Sequence, residues 1–146
     1  MWGNNDIFPD IAISYKDYLL SGFYRGYCAM KKLVLLIDDE KIIRMTSGEI
    51  LEELGFEVIT AGTGSEALDI FKSKQDQISV VILDMTLPDI TGVELFNQMK
   101  KLPSDIKYLF TSGYRQDMIN AGKNVAFIQK PYTIQELNSK LNELIG

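Results

Sequence analysis

From Lys31 onward, short apolar segments alternate with longer segments in which apolar residues recur at helical spacing. This alternation predicts repeated strand–helix units around a parallel sheet, which is an α/β fold. The strand candidates are rich in Val, Ile, Leu and Phe without strict alternation, so we expect them to be buried on both faces. They are Leu33 to Ile37, Glu57 to Ala61, Ser79 to Leu83, Lys107 to Thr111 and Val125 to Ile128.

Helix candidates follow the strands, near residues 41–54, 64–74, 91–101, 114–121 and 133–145. Two of them begin with capping-box signals, in which a hydroxyl and a carboxylate satisfy opposite backbone donors. These signals are Thr63 with Glu66 and Thr133 with Glu136. Gly55 follows the first candidate and predicts its C-terminal stop. The pattern is that of helices docked on a sheet.

Residues 1–30 show neither the strand nor the helix period, although they contain Trp2 and four tyrosines. Met30 stands directly before the first strand pattern and looks like a natural start. We therefore predict an N-terminal extension or linker over 1–30, poorly structured or artefactual, and one folded domain over 31–146. The alternative is that the aromatic residues of 1–30 pack as a helix on the domain or on a second copy.

Composition narrows the functional classes. A chain of 146 residues with 46% hydrophobic residues suits a single core, and a net charge of -5 repels nucleic acid and anionic membranes. The single cysteine, Cys28, cannot form an intramolecular disulfide, and neither a membrane-length apolar run nor a secretion signal is evident. We therefore expect a cytoplasmic protein. The absence of histidine excludes Ser-His and Cys-His dyads and histidine metal ligands.

Polar and charged residues follow four of the five strand candidates. In an open α/β sheet, ligands bind at the carboxyl ends of the strands, so these residues are expected to face one edge. The first strand candidate is followed by Asp38, Asp39 and Glu40, the third by Asp84 and the fifth by Lys130 and Pro131, while the fourth ends in Thr111 and is followed by Ser112.

This set of residues predicts a pocket for a metal ion and a phosphoryl group. Carboxylates gathered at one edge repel one another unless a cation neutralises them, and an all-oxygen set suits Mg2+. Asp84 follows the apolar run Val80 to Leu83, which would hold its carboxylate rigidly, and is the best nucleophile candidate. Lys130 can neutralise a second phosphate oxygen, and the Thr111 hydroxyl can donate a hydrogen bond to a third.

Each of these residues also has an ordinary structural explanation when it is taken alone. Acidic residues favour helix N-termini, and an aspartate after a strand is commonly a turn residue. A Lys-Pro pair is common in loops, and Thr111 suits a strand because it is β-branched. The joint occurrence of all of them, at the ends of four strands, favours the functional interpretation.

The segment from about Lys31 to Gly146 resembles the receiver domains of bacterial and archaeal response regulators. The resemblance is carried by the runs Leu33 to Glu40, Asp84 to Gly92, Thr111 to Tyr114 and Lys130 to Tyr132. It implies a flavodoxin-like (βα)5 three-layer sandwich whose parallel five-stranded sheet has the order 2-1-3-4-5. It further implies that the chain is a signalling phosphoacceptor rather than an enzyme acting on other substrates.

The resemblance implies particular roles at the pocket. Asp84 would take a phosphoryl group from a phosphohistidine of a histidine kinase or a histidine phosphotransfer protein. Asp39 and Asp84 would contact Mg2+ directly, Asp38 directly or through water, and the backbone carbonyl of Thr86 would complete the protein ligands. Lys130 would contact the phosphoryl oxygens.

The resemblance also implies a switch. Thr111 would contact the phosphoryl oxygens and move toward them, and Phe127 would turn inward. The face formed by residues 114–121, the last strand and the last helix would then change for a downstream protein effector. The alternative for Phe127 is an ordinary buried core residue. The amphipathic last helix leaves a homodimer open.

Five other interpretations compete with a stand-alone phosphate-accepting receiver. Gly62 to Ala67 fits a dinucleotide fingerprint, although it follows the second strand rather than the first. A flavodoxin would need a phosphate loop where Asp38 to Glu40 stand, and a haloacid-dehalogenase phosphatase would need an aspartate in place of Thr86. A protein-binding module that no longer accepts phosphate and a C-terminal receiver fragment of a hybrid histidine kinase are the other two.

Overall fold

The structure is a computed structural model that describes residues 31–102, 105–113 and 124–146. Their elements, in chain order, are β1 Leu33–Ile37, α1 Lys41–Glu53, β2 Glu57–Ala61, α2 Gly64–Lys74, β3 Ile78–Asp84, α3 Gly92–Lys100, β4 Lys107–Ser112, β5 Val125–Gln129 and α4 Ile134–Ile145. The predicted extension over 1–30 and the helix candidate near 114–121 lie outside the described residues. No helix in the described part of the chain is both long and apolar enough to cross a bilayer.

The five strands form one parallel sheet of order β2-β1-β3-β4-β5, which confirms the predicted order. Every residue of β1 is buried, and so are six of the seven residues of β3. The edge strands β2 and β5 are more exposed, so the prediction that all five strands are buried on both faces was wrong for these two. An edge strand has a neighbour on one side only, which leaves part of its surface open to solvent.

Alternate residues of the central strands enter two separate hydrophobic cores, because successive side chains of a strand point to opposite faces. Leu35 of β1 packs in the same core as Phe71 of α2, and that core also contains residues of α3. Leu36 belongs to the second core, with Leu51 of α1 and residues of α4. Helices therefore cover both faces of the sheet, as the predicted three-layer sandwich requires.

The local signals at the helix ends are confirmed in part. Thr133 and Glu136 form the predicted capping box at the start of α4. At the start of α2, the Thr63 hydroxyl accepts from the Glu66 amide, but the Glu66 carboxylate accepts from the Gly62 amide at 2.8 Å instead of closing the box. Gly55, just after α1, has φ +100°, a conformation that disfavours residues with a Cβ.

Candidate functional site

Three carboxylates converge at the carboxyl edge of the sheet. Strands β1 and β3 are neighbours with Ile37 paired to Leu83, so the chain delivers Asp38 and Asp84 at nearly the same level. One oxygen from each of Asp38, Asp39 and Asp84 lies within 4.8 Å of the others. Asp38 and Asp84 are only 2% and 6% exposed, whereas Asp39 is exposed. We call these three residues the acid cluster.

The Lys130 ammonium group joins two members of the acid cluster. Its Nζ lies 2.6 Å from Oδ2 of Asp38 and 3.2 Å from Oδ2 of Asp84. Lys130 follows β5, and its backbone amide donates to the Ser112 carbonyl at the end of β4. The long side chain can therefore reach the acid cluster from a strand that does not adjoin β1 or β3. The cation partly neutralises two buried carboxylates.

These surroundings shift the proton affinities of both partners. Burial raises the pKa of Asp84, and the Thr86 amide and the Lys130 charge oppose that rise without cancelling it. Burial alone would lower the pKa of Lys130, but the hydrogen bond and charge of Asp38, together with Asp84, raise it. The pair therefore combines a carboxylate that is costly to ionise with a lysine held firmly in its charged form.

The loop after β3 folds back beside Asp84. We call residues 85–91 the acceptor loop. The Thr86 amide donates to Asp84 Oδ1 at 3.1 Å, Thr86 and Thr91 form an isolated antiparallel bridge, and the Gly92 amide donates to the Met85 carbonyl at 2.9 Å. The backbone of Thr86 is thereby fixed next to the Asp84 carboxylate.

The two predicted switch residues lie on β4, which adjoins β3, and on β5 beyond it. Thr111 is buried in β4 and is paired in register with Asp84, and its carbonyl accepts from the Met85 amide at 3.0 Å. Phe127 in β5 is partly buried, and its ring stacks on Phe110 with the centroids 5.3 Å apart. Thr111 is thus beside the acid cluster, and Phe127 is in contact with the core.

Three further contacts were not predicted from the sequence. The Arg44 guanidinium donates to the Asp38 carbonyl at 2.7 Å. The hydroxyls of Ser47 on α1 and Tyr132 after β5 are 2.9 Å apart, and burial raises the pKa of Tyr132. Asp89 in the acceptor loop contacts the start of α2. The Ser47–Tyr132 and Asp89 contacts join segments 85 and 25 or 24 residues apart, so no local signal could have identified them, whereas Arg44 and Asp38 are only six residues apart.

The Asp89 contact bears on the dinucleotide alternative. A bound pyrophosphate would need the free amides at the N-terminus of α2. The amides of Gly64 and Ser65 donate instead to the two carboxylate oxygens of Asp89, at 2.8 and 2.9 Å. A side chain of the protein occupies the anion position, so this segment is not arranged to receive a dinucleotide.

The acid cluster fits a hard divalent cation. Its three donors are carboxylates, which Mg2+ and Ca2+ prefer over nitrogen and sulfur ligands, and the chain contains no histidine. Two of the three carboxylates are buried, where like charges repel strongly unless a cation is near. The Lys130 ammonium offsets part of this repulsion, and a metal ion would offset more.

The sequence is similar to known protein sequences. The model of the response regulator receiver domain family matches residues 34–142. The chain is 31% identical to sensor kinase CckA of Brucella abortus, over 77% of this chain and 12% of CckA. It is 28% identical to sporulation initiation phosphotransferase F of Bacillus subtilis, over 80% of this chain and 95% of that protein.

A solved structure is similar to the described fold. The crystal structure of response regulator TrrA from Thermotoga maritima, in complex with Mg2+ and BeF, has a TM-score of 0.67 and is 32% identical to this chain. The match covers 77% of this chain and 98% of that one.

Proposed function

The chain belongs to the response regulator receiver domain family, and on that premise we propose that Asp84 accepts a phosphoryl group from a phosphohistidine of a partner histidine kinase or phosphotransfer protein. One observation carries the proposal: the Lys130 ammonium contacts Asp84 at 3.2 Å, and Asp84 shares the edge of the sheet with two further carboxylates. A phosphoryl group placed there would meet a nucleophile and a fixed positive charge.

The chemistry requires little from the protein beyond position and charge. A carboxylate oxygen of Asp84 forms a bond to phosphorus as the phosphorus–nitrogen bond of the donor breaks, and the donor imidazole keeps the electron pair. The product is an acyl phosphate. Lys130 and the Thr86 amide favour the ionised, nucleophilic form of Asp84. The buried Thr111 hydroxyl is proposed to donate to a phosphoryl oxygen.

We propose that Asp38, Asp39 and Asp84 hold Mg2+ and that the Thr86 backbone carbonyl is a further ligand. When bound, Mg2+ would neutralise charge on the carboxylates and on the phosphoryl oxygens. The all-oxygen acid cluster supports this proposal, as does the presence of Mg2+ and BeF in the similar TrrA structure.

Acetyl phosphate or phosphoramidate should phosphorylate the chain without a partner protein. In the presence of Mg2+ we expect intact-mass spectrometry to show a gain of one phosphoryl group, and hydroxylamine to remove it, because acyl phosphates are labile to that nucleophile. Excess EDTA should prevent the gain. A modification that survives hydroxylamine, or no modification at any Mg2+ concentration, would contradict the proposal.

A protein donor needs a docking surface that a small donor does not. Ile42 and Met45 lie one turn apart on α1, which starts just after the acid cluster, and they are 68% and 52% exposed. We propose that the phosphohistidine protein packs on them. Changing both to Glu should slow transfer from such a protein roughly tenfold or more, with phosphorylation by acetyl phosphate unchanged.

The control variant for docking is Ser73→Glu, which adds charge at an exposed position near the end of α2. Helix α2 starts at the carboxyl edge and runs back along the sheet, so Ser73 is remote from the acid cluster. Rates measured with the phosphohistidine protein and with acetyl phosphate distinguish a loss of docking from damage to the pocket. Equal slowing with both would indicate damage to the pocket, and unchanged transfer in the Ile42 and Met45 variant would place the docking surface elsewhere.

Output is proposed to pass from Thr111 to Phe127. Thr111 is paired in register with Asp84, and Phe127 lies one strand further on, stacked on Phe110. A movement of Thr111 toward a phosphoryl group would alter the packing space beside Phe127 and so the surface offered to an effector protein.

A second candidate is that the chain is the receiver of a hybrid histidine kinase. The similarity to sensor kinase CckA, of which the chain spans 12%, favours it. The similarity to phosphotransferase F, of which the chain spans 95%, favours a regulator of one domain. Sequencing the gene upstream of Met1 distinguishes them, because a hybrid kinase requires an open reading frame that encodes a kinase domain there.

A further inference from the structure

The N-terminus of α2 is capped from two places in the chain. The first amides of an α-helix have no acceptor within the helix, so each needs another partner. Thr63, the residue before the helix, accepts from the third amide, that of Glu66, at 3.1 Å. The first two amides, of Gly64 and Ser65, donate to Asp89 at 2.8 and 2.9 Å. Asp89 is not a local cap, because it lies in the acceptor loop 25 and 24 residues away.

The residue after Asp89, Ile90, also contacts the start of α2. Gly64 stands so close to Ile90 that a Cβ built on Gly64 would overlap Cγ2 of Ile90. The start of α2 therefore touches two consecutive residues of the acceptor loop. Inside the loop, the Thr86–Thr91 bridge and the bond from the Gly92 amide to the Met85 carbonyl connect this anchored part to Asp84.

We propose that Asp89 is a positioning residue that clamps the acceptor loop to α2 and so holds the Thr86 backbone against the Asp84 carboxylate. The inference rests on the proposed function, since Thr86 and Asp84 are proposed metal ligands and Asp84 is the proposed acceptor. The two amides also lower the pKa of Asp89, and the Gly64 amide has the larger effect, as expected for an anion at a helix N-terminus. Asp89 is therefore ionised at neutral pH, as the clamp requires.

The test replaces Asp89 with Asn in the full chain. Asparagine keeps the size of the side chain but has one carbonyl oxygen, so one of the two amides loses its acceptor and faces an NH2 group. Asp89 is exposed, so the change leaves no cavity and the domain should fold. We expect hydrogen exchange of the Thr86 and Gly92 amides to accelerate about tenfold. We also expect the Mg2+ concentration for half-maximal thermal stabilisation to rise about tenfold.

Glu66→Gln is the matched control. Glu66 also accepts from a backbone amide, that of Gly62 just before α2, but among the described residues its hydrogen bonds go to Gly62 and Thr63 and not to the acceptor loop. This variant should leave the exchange of Thr86 and Gly92 unchanged. Gly64→Ala tests the clamp from the helix side: alanine favours the helix but would displace Ile90, so exchange at Thr86 should again accelerate.

Two results would overturn the positioning role: unchanged exchange at Thr86 and Gly92 in Asp89→Asn, or equal acceleration in Glu66→Gln. A lower melting temperature of Asp89→Asn, with neither faster exchange at Thr86 and Gly92 nor a higher Mg2+ concentration for half-maximal stabilisation, would mean that Asp89 serves only as a helix cap. The exchange experiment uses neither Mg2+ nor a phosphoryl donor. Failure of Asp84 to accept phosphate would therefore count against the proposed function and leave this readout intact.

Discussion

Replacing Asp84 with Asn is expected to abolish phosphoryl acceptance and to raise the melting temperature of the metal-free protein at neutral pH. The amide is not a nucleophile, so no acyl phosphate can form. The stability gain arises because Asp84 is 6% exposed and shares the acid cluster with Asp38 and Asp39 within 4.8 Å. One such carboxylate pair repels by about 3 kcal/mol at an effective dielectric constant near 20.

Lys130 offsets much of this repulsion, so the net gain should be on the order of 1 kcal/mol, or about 3 °C for a domain of this size. The pH dependence of the stability gain in Asp84→Asn follows from the raised pKa of Asp84. Because the pKa of Asp84 is higher in the folded protein than its unfolded value of 3.8, protonation of Asp84 favours folding. This stabilisation is fully present below pH 3.8 and is lost as the pH rises through the folded-state pKa. The advantage of Asp84→Asn should therefore be absent in acid and grow toward neutrality.

The control for Asp84→Asn is Asp69→Asn, which removes the same charge from an exposed position on α2. Melting curves between about pH 3 and pH 7 should separate the two variants, with only Asp84→Asn gaining stability as the pH rises. Mass spectrometry after incubation with acetyl phosphate and Mg2+ checks the predicted loss of phosphoryl acceptance. A hydroxylamine-sensitive phosphoryl group on the Asn variant, or a lower melting temperature at neutral pH, would contradict the prediction.

The strands were predictable because their signal is local. Every described boundary differs from its prediction by at most one residue, and the differences fall at the ends of elements. One of them matters at the site: β3 ends at Asp84 rather than at Leu83, so Asp84, the proposed acceptor, is itself part of the sheet. The convergence of Asp38 with Asp84 was also predictable, because parallel strands present their carboxyl ends at one edge.

The contacts between remote segments were not predictable. Thr63 and Glu66 fit a capping box, but Glu66 bonds to Gly62 and Asp89 supplies the missing acceptors from another loop. The same amides belong to the segment that resembles a dinucleotide fingerprint. Spacing identifies a helix N-terminus that needs an anion, but only the fold determines whether a ligand or a side chain provides it. Ser47 and Tyr132, 85 residues apart, are a second case.

Replacing Lys130 with Met should destabilise the metal-free protein and slow phosphorylation in the presence of Mg2+. The substitution keeps much of the chain length but removes the ammonium that lies 2.6 Å from Asp38 and 3.2 Å from Asp84. Leaving buried charges without their partner costs about 3–5 kcal/mol, and the 17% exposure of the Lys130 side chain places this case near the lower end. Loss of a charge aimed at the transferred group slows such reactions about 10²–10³-fold.

The two effects should respond differently to Mg2+. A cation bound by the acid cluster replaces part of the lost positive charge, and binding at a hundred times its Kd stabilises the folded state by about 2.7 kcal/mol. Mg2+ should therefore restore most of the melting temperature of Lys130→Met but not its phosphorylation rate, because the proposed lysine contact to the phosphoryl oxygens is still missing. Lys107→Met, whose Nζ bonds Asn124 at 2.7 Å outside the acid cluster, should show neither effect. If Mg2+ restored the rate of Lys130→Met as well, the role of Lys130 would be confined to neutralising Asp38 and Asp84.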